Sequence, residues 1–168
     1  MKKTMRRISV PVIAMILIMS MQISVFAATI TKQKAQNIAL ANAGLKASQV
    51  TRLSTETEKN SFEVELTRKK DGARFEYEIT KGGKIKQIEI SFKHKVNTSG
   101  KKIGKEAAQK AAAKAVGVKL SKVKAGTCKY KIDDREGIYT LRFNSGNCRY
   151  EVELLAATGK VIEIEKHY

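Results

Sequence analysis

Apolar and polar positions along this chain follow two periods, and the periods alternate in blocks. Ala35, Ile38, Ala39 and Ala43 recur at the 3.6-residue spacing of a helix, while Lys32, Lys34, Gln36 and Asn37 fall elsewhere. Thr31 is placed to cap the start of this helix, and Gly44 to close it in the left-handed conformation that glycine adopts without strain. The period then becomes two. Phe62, Val64 and Leu66 alternate with Glu63 and Glu65, and Phe75, Tyr77 and Ile79 alternate with Glu76 and Glu78, which predicts half-buried antiparallel strands. Asp71-Gly72 supplies a hairpin turn, and Gly82-Gly83 a second turn before a last strand at 84–90.

The same order returns later in the chain. Residues 30–50 and 103–123 match at a constant offset of 73, with ITKQKAQNIALANAG against IGKEAAQKAAAKAVG. In the second helix the expected buried stripe is Ala108, Ala111, Ala112 and Ala115, closed by Gly117. Tyr139-Thr140-Leu141-Arg142-Phe143 and Tyr150-Glu151-Val152-Glu153-Leu154 follow as strands, with turns at Asn144-Ser145-Gly146-Asn147 and Thr158-Gly159 and a last strand at 160–165. The expected fold is therefore α+β: two tandem small modules, each an N-terminal helix packed on a three- to four-stranded antiparallel sheet. A unit of ~60 residues buries little core, so the copies should pack together or share sheet edges.

The first 27 residues break the pattern. Lys2, Lys3, Arg6 and Arg7 precede the apolar run Val10 to Met21, and Val25-Phe26-Ala27 offers small residues where a signal peptidase reads them. This is a secretory signal peptide, cut after Ala27; the alternative is retention as a membrane anchor. The organisation expected is 1–27 signal peptide, 28–91 first module, 92–102 connector and 103–168 second module, in a secreted or extracytoplasmic protein associated with the cell envelope. No transmembrane segment is expected after cleavage. Asn97-Thr98-Ser99 matches a glycosylation sequon and is read as coincidence.

The whole chain carries a formal charge of +17, and loss of the leader's four cations leaves +13. The candidate contacts for an anion or partner are Arg68, Lys69, Lys70 and Arg74 around the first hairpin, and Lys101, Lys102, Lys105, Lys110 and Lys114 at the second helix. Outside the cell such a surface meets anionic wall polymers or membrane surface. No exposed aromatic ladder accompanies the lysines, so no specific nucleic acid is expected.

The Ala-rich helix Ala35 to Gly44, the strand Tyr150 to Leu154 and the turn Thr158-Gly159-Lys160-Val161 together resemble the PepSY domain, and the resemblance spans nearly all of 30–165. It implies an extracytoplasmic, non-catalytic module of the kind found in propeptides of metallopeptidases and in envelope proteins, where it restrains peptidases. Leu155 departs from the aspartate usual at that turn.

Little else suggests chemistry. His94 and His167 belong to no recognisable site, and no phosphate loop, nucleophile elbow or paired cysteine knuckle occurs, so neither an enzyme nor a cofactor is expected. Glu76/Glu78 and Glu151/Glu153 lie two apart on strands; an acid/base or calcium pair is weighed against a solvated strand face, and the latter is preferred. Cys128 and Cys148 are the only cysteines. Export favours a disulfide, worth ~3 kcal/mol for such a loop. Strand register favours buried free thiols, because Phe143 would lie between strands ~9.5 Å apart, whereas a disulfide needs Cα atoms within ~7 Å. The sequence leaves both open.

Overall fold

The computed structural model describes residues 29–96 and 100–168. The leader and the sequon lie outside the described residues. In order, the elements are α1 (Lys32–Ala43), a 3-10 turn (Ala47–Gln49), β1 (Val50–Thr57), β2 (Ser61–Arg68), β3 (Arg74–Thr80), β4 (Ile85–Ser91), α2 (Lys105–Val116), α3 (Leu120–Lys124), β5 (Thr127–Asp133), β6 (Glu136–Ser145), β7 (Cys148–Leu155) and β8 (Val161–His167).

Local signals act as expected. The Thr31 hydroxyl accepts the Lys34 N–H at 3.2 Å, and Gly44 and Gly117 close α1 and α2 at φ 65° and 69°. Alternation sets the β2–β3 register, with Val64 opposite Tyr77 and Leu66 opposite Phe75.

The expectation of two modules, each with its own three- to four-stranded sheet, is overturned, while the expected sharing of sheet edges is found. The eight strands of the described residues form one antiparallel sheet in the order β1-β2-β3-β4-β8-β7-β6-β5. The join is β4 against β8, where Gln87 to Ser91 pair with His167 to Glu163. Each half on its own would leave β4 or β8 as an unpaired edge with one apolar face, and pairing them satisfies both backbones at once. The connector reinforces the join: the Phe92 N–H reaches Ile162 O, Lys160 Nζ donates to Lys93 O, and His94 Nε2 lies 2.9 Å from Glu136 Oε2.

Directly opposed residues in antiparallel strands share a face, so the register sorts the side chains. Phe75, Ile90, Ile164, Val152 and Leu141 form one continuous apolar row across both halves. The helices pack on this face. Ala35, Ala39 and Leu40 of α1 press on Phe62, Val64, Leu66, Phe75, Tyr77 and Ile79. Ala108, Ala112 and Ala113 of α2, with Val123 of α3, press on Tyr139, Leu141, Phe143, Tyr150, Val152 and Leu154. The second stripe is thus rotated from expectation: Gln109 and Ala113 are buried and Ala115 is exposed. No helix among the described residues is long and apolar enough to cross a membrane.

Candidate functional site: the uncovered sheet face

The face opposite the helices carries the residues that alternate with the core, and a continuous sheet gathers them on one surface. Following the register, Glu65, Glu76, Glu89, Glu165 and Glu151 stand directly opposite one another on five adjacent strands. Glu56, Glu63 and Glu78 form a second row, and Glu163 opposes Glu153 in a third. Ten of the sixteen acidic residues of a strongly basic protein therefore stand in these three rows on one face. Like charges directly opposed across strands destabilise a sheet. Here they recur across six strands.

The electrostatics follow. Burial first, then repulsion from Glu89, Glu153, Glu165 and Glu151, pushes the Glu163 carboxyl up to about 7. Burial and then Glu89 raise Glu76, and burial and then Glu76 raise Glu63. Cations offset part of this. Arg52 lies 3.0 Å from Glu65, Arg74 2.7 Å from Glu76, and Lys131 3.0 Å from Glu153. The Lys86 ammonium holds Glu78 below the usual carboxylate range. Oxygens of Glu63, Glu65 and Glu76 lie within 4.8 Å of one another, the donor set a hard cation prefers. Arg52 and Arg74 already supply positive charge at that point.

The same face changes sign at one corner. Lys129, Arg142 and Arg149 stand on β5, β6 and β7 beside a groove of about 600 Å³ that Lys122 of α3 also lines. On the helix face, Ile88, Ile90, Ile164, Val116, Tyr150 and Lys166 line a smaller hollow of about 170 Å³ between α2 and the β4–β8 join.

The basic residues singled out in the sequence fall into two groups with β4 and β8 between them. Several are engaged within the fold. Arg68 pairs with Asp71 through two hydrogen bonds of 2.7 and 2.8 Å and lies over the Phe75 ring. Lys69 Nζ donates to Ser48 O at 2.7 Å, and Arg74 serves Glu76 and Glu65. Lys102 sits over the Tyr130 ring, and Lys110 pairs with Glu106 one turn away on α2. Lys70, Lys101, Lys105 and Lys114 project outward.

Cys128 and Cys148 are unbonded and half-buried against the second core. Cys128 opposes Leu141 and Cys148 opposes Ser145, so β6 separates them and they are also offset by four residues along it. The face that Cys128 shares is less buried than its apolar pattern implies: Tyr130 is 37% exposed and Ile132 70%, because β5 is an edge strand. Glu76/Glu78 and Glu151/Glu153 were expected pair by pair as solvated strand faces, but their union into one acidic face, and the basic corner, were not. The available signal was Glu63/Glu65, Glu76/Glu78, Glu151/Glu153 and Glu163/Glu165, four Glu-x-Glu strands in one chain.

No family model matches the chain, and no curated protein matches it. Among solved structures it is similar to the Bacillus megaterium YpeB C-terminal domain, at 15% identity over 81% of this chain and 62% of that one, with a TM-score of 0.43. The chain thus spans less than two thirds of that domain. It is also similar to a DUF2874 family protein from Bacteroides uniformis ATCC 8492 (9% identity, 82% and 90% covered, TM-score 0.32) and to a cysteine-rich secretory protein from Staphylococcus aureus subsp. aureus Mu50 (13%, 77% and 42%, TM-score 0.37). At these values the likenesses assign neither a family nor an activity.

Proposed function

We propose that this protein is an exported, non-catalytic binding module that acts on an extracellular protein, a peptidase being the class that its PepSY-like sequence implies. The uncovered acidic face is the contact surface. The observation that carries this reading is the row of five directly opposed glutamates across the join of the two halves. Such a row works against the sheet that bears it, and a partner that presents lysine or arginine to it would relieve the repulsion on binding. The three-zone leader supports export.

The test is affinity capture from cell envelope by the protein without its leader, and by a variant with Glu89→Gln, Glu151→Gln and Glu165→Gln. A partner held by the unaltered protein at moderate salt and lost by the variant is the expected result. Equal capture by both, or capture that disappears as soon as salt is raised, counts against a packed protein contact.

A second reading, attachment to anionic envelope polymers, rests on the net charge of +13 that remains without the leader and on the basic corner of the same face.

A further inference from the structure

β6 runs further than its neighbour β5. It pairs with β5 only from Glu136 to Arg142, but with β7 from Ile138 to Ser145. Residues 143–145 therefore form a short ledge at the start of β5, and the groove of about 600 Å³ lies along it, lined by Lys122, Lys129, Arg142, Arg149, Thr127 and Asn144. The ledge is closely packed on one side. A Cβ on Gly126 would meet Arg142 O at 2.2 Å and Phe143 Cβ at 2.6 Å, so only glycine lets the chain turn from α3 into β5 against the ledge.

All but one of the charges at the ledge differ from the other cations of this face. Arg52, Arg74, Lys86 and Lys131 each have a glutamate partner. Lys122, Lys129 and Arg149 form no ion pair among the described residues, although Glu151 follows Arg149 by two residues on β7 and lines a hollow with it and Glu165. Arg142 is held by Glu151 at 2.7 and 2.8 Å, which fixes the plane of its guanidinium. The register places Lys129 level with Thr140, Arg142 two residues on, and Arg149 level with Asn144. The three cations thus descend diagonally across three strands in steps of ~8 Å, from strand spacing and rise. Spaced single charges along an extended chain fit such a line, and guanidinium groups are suited to phosphate oxygens.

We infer that the β6 ledge is a binding site for a phosphodiester polymer, its successive phosphates lying along Lys129, Arg142 and Arg149, with Lys122 closing the groove. This rests on the second functional reading and gives it a location. It does not depend on the acidic face.

The test uses the protein without its leader and synthetic poly(glycerol phosphate) as probe, with binding followed by calorimetry at low salt. Two variants are compared: Lys129→Glu with Arg149→Glu at the ledge, and Lys34→Glu with Lys59→Glu, exposed residues where the same charge change is made elsewhere. The expected result is about tenfold or greater loss for the ledge variant, the scale of one charge-assisted contact, and less than about twofold for the other. Equal losses would overturn the ledge and leave general attraction to polyanions. No binding by the unaltered protein would overturn the polymer reading itself. Tighter binding to phosphatidylglycerol vesicles than to the polymer, or equal affinity for inorganic phosphate, would also overturn the proposal.

Discussion

Replacing Glu163 with glutamine isolates the electrostatic strain of the open face. Glu163 stands on β8, opposite Glu153 and Ser91, with Glu89, Glu165 and Glu151 around it, and its carboxyl titrates at about 7 instead of the ordinary 4.5. A group that binds its proton more tightly folded than unfolded makes the native state the more protonated one between those two values. Stability at this site is therefore intact below about pH 4.5 and declines as pH rises through 7. The full separation corresponds to about 3 kcal/mol. The side chain is only half-buried and water screens part of the repulsion, which leaves about 1–2 kcal/mol. Glu163→Gln keeps the shape and removes the charge. In urea unfolding, the variant should gain about 1–2 kcal/mol at pH 8 with an unchanged slope, and should match the unaltered protein at pH 4.5. A gain of the same size at both pH values, or a loss at pH 8, would refute the reasoning.

Gly126→Ala should cost about 2–3 kcal/mol, because its Cβ lands on β6 backbone; Gly146→Ala, with open space but a φ of +61°, should cost about 1 kcal/mol in the same urea assay. His94→Ala removes a partner of Glu136, whose side chain is only 5% exposed, and should lower stability by about 1 kcal/mol in the same urea assay. With β6 between the cysteines, alkylation in denaturant without reductant should modify both thiols, and intact mass should not change on reduction; a protein labelled only after reduction would contradict the unbonded arrangement.

Elements were legible in the sequence where one side of a segment is buried and the next residue is not. Val64 and Tyr77, or Val152 and Leu154, announce their strands because a core-facing period of two has no other physical meaning. β1 was less legible, since an edge strand needs few apolar side chains and only Val50 is buried in it. That the two halves share sheet edges followed from their small size, but which strands meet was not legible. β4 and β8 each display one apolar face, but local pattern does not say which edge accepts which strand, and the rule against opposed like charges would have argued against placing Glu89 beside Glu165. The acidic face was therefore hidden. Glu65 and Glu151, at the two ends of its longest row, come from opposite halves of the chain, and they share a surface only once β4 and β8 have closed the sheet.

The central pairing also sets an order of assembly. Gln87 and His167 are partners 80 residues apart, whereas β1 to β4, and likewise β5 to β8, join through short turns. Local hairpins form before distant strands meet. A chain that has completed its first four strands thus carries an open hydrogen-bonding edge at 87–91 with Ile88 and Ile90 beside it, a template for unwanted pairing until β8 arrives. Whatever the order of hairpins within each half, the pairing most distant in sequence, and so the last to form, lies in the middle of the finished sheet.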